Sequence, residues 1–287
     1  MTKTKIRRIK TVRDAAIFHV TVLFIGFFML YPLLWMIMGS FKPTLEIFGN
    51  LSLIPQNPTL DNYVRGWRFN NVTTFTTFYK NSFILAGVST VGAVLVSSLV
   101  AYGFSRIHFR GSKFWYSCMF LTLMLPYQVV MVPQFVLFFR FFKWVQTAPF
   151  LPLIVPQFGG QAFFIFLMVQ FFRGIPMELD QSAMIDGCNK FTIYSRILFP
   201  LIKPALITSA IFSFYWRWDD FLGPLLYLNR TRNYTVSLAI RAFSDPTQTD
   251  WGAILAMGTA SILPSLIIFF IFQKYIVEGI ATSGIKG

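Results

Sequence analysis

The chain has 287 residues, of which 55% are hydrophobic and only 13% are charged, and its mean hydropathy is +0.59. A soluble globular chain carries about 25% charged residues, so this composition excludes an ordinary soluble enzyme, a disordered chain and a disulfide-rich secreted domain. The net charge of +14 would suggest nucleic acid in a soluble chain. Here the cations cluster between apolar runs, a pattern that membrane topology explains better.

The first apolar run follows a basic N-terminal segment, residues 1–14, which holds six Lys and Arg. This run exceeds the ~7–15 residues of a signal-peptide core. Residues 15–40 are therefore predicted to form an uncleaved first transmembrane helix. Residues 41–80 are polar and rich in Pro, Asn and Thr, which predicts an external loop.

Five further apolar runs are each long enough to cross a hydrocarbon core about 30 Å thick. They lie at residues 83–104, 114–132, 150–172, 205–227 and 252–272. Six spans place both termini on one side of the membrane. With the N-terminus inside, the inner segments carry 15 Lys and Arg and the longer outer segments carry nine. The positive-inside rule thus favours cytoplasmic termini, and residues 276–287 are predicted to form a cytoplasmic tail.

A more polar segment, residues 173–204, separates the fourth and fifth runs. Acidic side chains at Glu178 and Asp180 suit the positive N-terminal end of a short helix. Gly187 suits the left-handed stop after that helix, and Asn189 can cap a second one. These residues predict two short helices joined at a glycine, a cytoplasmic elbow. An amphipathic loop resting on the bilayer surface explains the same residues equally well.

A second polar feature lies late in the fifth run and combines charged with aromatic residues. Its members are Tyr215, Trp216, Arg217, Trp218, Asp219 and Asp220. Charges at depth cost ~2.5–3.5 kcal/mol each on insertion scales, so they tend to pair or to face a cavity. Arg217 and Asp220 are spaced i, i+3 and can pair, which leaves Asp219 to face a cavity. The feature is either the polar wall of a transport path or an interfacial pair without a transport role.

Motifs for catalysis or metal binding were not found. There is no phosphate loop, nucleophile elbow or HExxH sequence. The only two histidines, His19 and His108, lie far apart, and Cys118 and Cys188 lack metal-ligand spacing. A membrane-embedded enzyme would need clustered His, Asp or Glu. An ion-gradient-driven secondary transporter would show an inverted repeat and acids at mid-membrane. Neither pattern is evident, so no enzyme activity, metal or cofactor is expected of this chain.

The elbow segment resembles the EAA loop of ABC-importer permeases, E-L-x-E-A-A-x-I-D-G-A followed by I-x-L-P-L-x-x-P-A-L. The first part reads ELDQSAMIDGC at residues 178–188, and the second reads ILFPLIKPAL at residues 197–206. The first part departs from the pattern at Gln181, Ser182 and Cys188. Four further stretches extend the resemblance, to the carbohydrate-uptake branch, over nearly the whole chain. They are residues 81–111, 121–135, 214–229 and 279–287.

This resemblance implies an all-α type I importer permease with six transmembrane helices, whose core is residues 81–275. In that family the EAA elbow docks in a cleft on an ATPase subunit. The candidate docking residues, at positions of this motif, are Glu178, Leu179, Asp180, Gln181, Ser182, Ala183, Asp186 and Gly187. The aromatic and charged set at residues 215–220 becomes a candidate substrate path.

The resemblance also implies partners. A second permease subunit completes the pore, two ATPase subunits carry ATP and Mg²⁺, and an extracytoplasmic binding protein delivers an oligosaccharide. The loop at residues 228–250 would reach toward the binding protein, and the C-terminal tail toward the ATPase dimer interface. The implied location is a bacterial inner membrane. The cargo stays open between a neutral oligosaccharide and a uronate-containing one, because guanidinium pairs well with carboxylate and the outer segments lean positive.

Overall fold

The computed structural model describes residues 12–284 apart from 51, 71 and 245–248, and it describes side chains from residue 14 to residue 275. Within these ranges the chain is helical and contains no strand, which confirms the predicted fold class. The last three residues of the predicted C-terminal tail lie outside the described residues, as do the first eleven residues of the N-terminal segment.

The described residues form sixteen α-helices joined by short turns, π-helical and 3₁₀ segments. The α-helices are α1 Val12–Gly39, α2 Thr44–Gly49, α3 Asp61–Arg68, α4 Phe75–Arg106, α5 Ser112–Met124, α6 Tyr127–Val136, α7 Trp144–Thr147, α8 Leu151–Ile154, α9 Ala162–Gly174, α10 Glu178–Ile185, α11 Lys190–Thr192, α12 Phe199–Leu201, α13 Lys203–Trp218, α14 Leu222–Tyr227, α15 Val236–Arg241 and α16 Trp251–Gly284. The π-helical segments are Leu137–Phe141 and Ile193–Leu198, and the 3₁₀ segments are Val155–Gly159 and Thr231–Asn233.

Four helical segments in the described part of the chain are long and apolar enough to cross a membrane. They are Asp14–Gly39, Phe75–Arg106, Leu151–Gly174 and Trp251–Tyr275. Two bent pairs of helices meet the same criterion when each pair counts as one span. They are Ser112–Met124 with Tyr127–Phe141, bent by 95°, and Lys190–Leu201 with Lys203–Trp218, bent by 76°. Counted in this way the spans number six, as the hydropathy pattern predicts.

Two predicted runs are each divided into two helices in the structure. The third run breaks after Met124 because Pro126 lacks a backbone N–H and disfavours helix in the residue before it. The prediction of one helix over residues 205–227 is wrong at its C-terminal end, since α13 stops at Trp218. There the Asp220 carboxylate accepts a bond from the Gly223 amide at 3.1 Å, so α14 starts as a separate helix.

The predicted external loop, residues 41–80, is partly helical in the structure. It contains α2 and α3, and its last six residues already belong to α4, which starts at Phe75. Phe75 and Phe78 are fully buried. The second span is therefore longer than its apolar run, because packing of these two rings extends the helix past the limit set by hydropathy.

The chain divides into two compact units. One comprises the residues up to Trp67 together with Phe243–Ala260, and the other comprises Arg68–Ala242 together with the chain from Ser261 onward. In the first unit the Lys42 side chain is almost fully buried. Its Nζ donates to the carbonyl oxygens of Asn50 at 3.2 Å and of Ser52 at 2.5 Å. These bonds satisfy the buried ammonium group and close the chain around α2.

In the second unit, α4 packs against α9 and α13, and small residues on α4 allow a close approach. A Cβ added at Gly92 would lie 2.6 Å from the Phe158 ring. The span that contains Phe158 is broken at Gly160, whose φ is +80°. After this break the Gln161 amide donates to the Ser97 hydroxyl oxygen at 2.9 Å, so α4 provides the acceptor that the broken helix lacks.

Candidate functional site

The elbow segment at residues 173–204 contains the glycine turn that its sequence predicts. Helix α10 covers Glu178–Ile185, and Gly187 follows with a φ of +82°. The Gly187 amide donates to the Met184 carbonyl at 3.1 Å, and the Cys188 amide donates to the Ala183 carbonyl at 2.9 Å. This pair of bonds is a Schellman motif, so the predicted left-handed stop is confirmed.

The second helix of the elbow begins at the predicted cap. The Asn189 side-chain oxygen accepts a hydrogen bond from the Thr192 amide at 2.8 Å, which is ordinary N-cap geometry. Helix α11 continues through the π-helical segment into α12 and then turns into α13. The helix–glycine–helix elbow is therefore present, and it leads directly into the fifth span.

The candidate docking residues divide by burial. Asp180 and Ala183 are each 5% exposed and face the rest of the chain. The others are exposed: Glu178, Leu179, Gln181, Ser182, Asp186 and Gly187. Met184 and Ile185, which lie within the motif but outside the set of candidate docking residues, are 50% and 88% exposed. The open face of α10 thus combines acidic ends with apolar side chains, a composition typical of a contact surface.

Arg106, at the last position of α4, is a residue that the sequence did not single out. Its Nε lies 3.6 Å from Oδ2 of Asp180, and the two side chains are 3% and 7% exposed. One guanidinium nitrogen donates to the carbonyl oxygens of Phe172 at 2.8 Å and Ile175 at 2.7 Å. A cation counted as part of the positive inner loops is therefore buried, and it holds the start of the elbow.

Two more polar residues of α4 reach the elbow from positions one and two turns before Arg106. The Tyr102 hydroxyl donates to the Lys190 carbonyl at 3.0 Å. Tyr194 donates to the Ser98 hydroxyl at 2.6 Å, because the Ser98 hydrogen is directed at a carbonyl of its own helix. We call Ser98, Tyr102 and Arg106 the polar stripe. Their four-residue spacing in an apolar span is the sequence signal that could have revealed it.

The charged residues at the end of α13 form the pair that their spacing predicts. Nη1 of Arg217 lies 3.5 Å from Oδ2 of Asp220, while Asp219 is exposed. The other Asp220 oxygen accepts from the Gly223 amide. Asp220 therefore both pairs with the guanidinium and caps α14, and these contacts occupy Arg217 within the chain.

The aromatic members of the same set have different environments. Trp218 is buried and its Nε1 donates to the Ser261 carbonyl at 3.0 Å, while the Tyr215 hydroxyl donates to the Ser265 carbonyl at 2.5 Å. Both side chains thereby fasten α13 to α16. Trp216 is 46% exposed, so it is the one aromatic side chain of the three that presents a substantial open surface.

Over most of its length the chain is similar to proteins of one family. Residues 93–282 match the family model of the binding-protein-dependent transport system inner membrane component. The arabinooligosaccharides transport system permease protein AraQ of Halalkalibacterium halodurans is 32% identical over 92% of this chain and 94% of that protein. The trehalose/maltose transport system permease protein MalG of Thermococcus litoralis is 32% identical over 90% and 92%. This chain belongs to the family of binding-protein-dependent transport system inner membrane components.

A solved structure shares the fold. It is that of a bacterial ABC transporter involved in the import of the acidic polysaccharide alginate. One of its chains aligns with a TM-score of 0.76 and 20% identity, covering 92% of this chain and 98% of that one. The helical arrangement is thus that of an ABC importer permease.

Proposed function

We propose that this chain is a permease subunit of an ATP-driven sugar importer, in which it forms half of the translocation pore. The observation that carries the proposal is the exposed face of α10, which presents the EAA-type residues on a helix stopped at Gly187. The names of relatives at 32% identity, which transport arabinooligosaccharides or trehalose and maltose, support a sugar as cargo.

The partners follow from this role. The exposed face of α10 docks in a cleft on an ATPase subunit, and two such subunits bind ATP and Mg²⁺. A second permease subunit supplies the other half of the pore, and an extracytoplasmic binding protein delivers the sugar near residues 228–250. This chain is itself non-catalytic. Both termini and the elbow are cytoplasmic in the cell membrane, as the distribution of 15 against nine Lys and Arg favours.

The mechanism is alternating access. Closure of the ATPase dimer on ATP draws the two elbows of the permease pair together and opens the pore outward to receive the sugar. Hydrolysis then separates the elbows and returns the pore to its inward-facing state. The elbow binds the ATPase through apolar contacts of Leu179, Met184 and Ile185, which are 42%, 50% and 88% exposed.

A neutral oligosaccharide is the cargo that the geometry favours. Arg217 is the one cation in the aromatic and charged set at residues 215–220, and its Nη1 lies 3.5 Å from Oδ2 of Asp220. A guanidinium already paired with carboxylate offers little to a uronate. The alginate importer is only 20% identical, so its cargo carries no weight for this chain.

Reconstitution tests the proposal. The chain would be co-purified with the products of neighbouring genes, placed in lipid vesicles, and assayed for ATP hydrolysis with arabinotriose, maltotriose, trehalose and dimannuronate. Stimulation by a neutral sugar in the presence of the binding protein is expected. Failure to recover an ATPase subunit with the chain would contradict the proposal, and stimulation by dimannuronate alone would contradict the neutral cargo.

A substitution tests the docking face itself. Ile185→Ser removes an 88% exposed apolar side chain from α10 and should weaken recovery of the ATPase subunit. Leu45→Ser is the matched control, because Leu45 is 92% exposed on α2 and lies outside the elbow. Equal recovery with both variants would remove α10 from the ATPase interface.

A further inference from the structure

We infer that Arg106 is a positioning residue for coupling: it fixes α10 to the end of the second span, so that the elbow and α4 move as one body. This inference rests on the proposed function, since it assigns the link between the docking face and the pore. The contacts that carry this inference all lie within this chain. The buried guanidinium of Arg106 is shared between the last turn of α9, at Phe172, and the elbow, at Ile175 and Asp180.

The first argument is where the contacts fall. The polar stripe bonds the chain on both sides of Gly187: Arg106 holds residues before the turn, while Tyr102 and Ser98 hold residues after it. At 1.5 Å per residue the stripe extends over about 12 Å of α4. A turn fastened on both sides to one helix cannot swing independently of that helix.

The second argument is the nature of the Arg106 contacts. The bonds to the carbonyls of Phe172 and Ile175 anchor the backbone that precedes α10, and Asp180 brings the first turn of α10 to the same guanidinium. Among the described residues, Nε of Arg106 and Oδ2 of Asp180 make no hydrogen bond. Their attraction is thus electrostatic, and solvent screens it little because both side chains are almost fully buried.

The third argument is the apolar packing around the stripe. Ala183 of α10 and Ile193 of the following segment belong to the same buried cluster as Ala101 of α4 and Phe172 of α9. The elbow therefore rests on α4 as a packed surface. The bonds of the stripe fix its register on that surface, since apolar contacts alone are not directional.

A double substitution separates positioning from stability. Arg106→Met with Asp180→Leu removes both buried charges, and replacing a buried ion pair by apolar side chains of similar volume is often tolerated. Arg106→Lys keeps the charge but has a single nitrogen, whereas the guanidinium reaches the two carbonyls through one nitrogen and lies near Asp180 through another. Arg110→Met is the control, because Arg110 is an exposed cation of the same connection.

Two readouts follow the elbow and the coupling. Trypsin cleavage after Lys190 and Arg196 is measured on the full chain in lipid nanodiscs, and ATP hydrolysed per sugar imported is measured on the assembled complex with arabinotriose or maltotriose. In the double variant we expect cleavage to rise about tenfold, the effect of about 1.4 kcal/mol on a local opening equilibrium. ATP consumed per sugar should rise several-fold. Arg106→Lys should be intermediate, and the control should match the original protein.

Trypsin cleavage and the ATP-to-sugar ratio can each support or overturn the role of Arg106. A double variant that assembles and shows either unchanged cleavage or an unchanged ATP-to-sugar ratio overturns the inference. If the double variant does not accumulate, Arg106→Lys decides by the same two readings. A wild-type complex without sugar-stimulated ATP hydrolysis would contradict the proposed function. In that case the trypsin comparison would still show whether Arg106 holds the elbow.

Discussion

The backbone at Gly187 has a φ of +82°, and a Cβ added there would meet no atom within 4 Å. Any penalty for a larger residue is therefore conformational and not steric. A β-branched residue in this region costs on the order of 1–3 kcal/mol, and the segment can avoid that cost only by reshaping the turn between α10 and α11.

Gly187→Val should leave the permease inserted and assembled while it uncouples ATP hydrolysis from uptake, because the docking face is re-aimed. Gly174→Val is the matched control. Gly174 lies in the same connection and has equally open space, but its backbone is helical. Uptake per ATP should fall in the first variant alone. Normal coupling in Gly187→Val would show that the elbow tolerates a different turn.

Exchanging the charges of Arg217 and Asp220 affects two interactions, because Asp220 both pairs with Arg217 and accepts a hydrogen bond from the Gly223 amide. An internal pair should tolerate Arg217→Asp with Asp220→Arg as far as charge is concerned. The exchange also removes the oxygen that accepts the Gly223 amide, at a cost of about 0.5–2 kcal/mol for a lost cap. We therefore expect neutral-sugar uptake to persist with a lowered denaturation temperature.

Asp220→Asn is the control for the exchange, since it keeps the capping oxygen and removes only the charge. It should be more stable than Asp220→Ala by about the worth of the cap, as measured by thermal denaturation in detergent. Equal stability of Asn and Ala at this position would show that the bond to Gly223 contributes nothing.

At the scale of elements, the close packing of α4 against the broken fourth span depends on the absence of a side chain at Gly92. Gly92→Val would place atoms against the Phe158 ring, where even a Cβ lies at 2.6 Å. Overpacking of this kind costs about 1–3 kcal/mol. We expect a lower denaturation temperature, and recovery when Phe158→Ala is added. Gly87→Val is the control, because nothing lies within 4 Å of that position on the same helix.

The sequence predicted those elements whose signals are local. Gly187 and Asn189 define the elbow through turn and cap chemistry within a few residues, and both were found in the predicted roles. The end of α13 was missed because hydropathy continues through Leu222–Tyr227, while the side-chain cap at Asp220 interrupts the helix. The Arg106 contacts were missed because their partners lie more than 65 residues away along the chain.

For the whole molecule, the proposed topology makes a direct prediction about labelling. In a chain lacking Cys118 and Cys188, a cysteine at Lys190 should react with a membrane-impermeant thiol reagent only after the cells are opened. A cysteine at Arg230 should react in intact cells. Both positions are exposed in the structure, so access to the reagent depends on the side of the membrane. Strong labelling at position 190 in intact cells would overturn the layout.

The polar stripe has a consequence for building hybrid transporters. Residues 173–204 form a contiguous stretch that invites exchange between related permeases to change which ATPase is used. The atoms that hold this stretch belong to Ser98, Tyr102 and Arg106, which lie far outside it. A hybrid that exchanges the elbow alone separates two side-chain pairs, Ser98 from Tyr194 and Arg106 from Asp180. One that carries residues 98–106 along with the elbow keeps both members of each pair from the same parent. On the proposed function, such a hybrid would transfer the choice of ATPase together with the contacts that position the elbow.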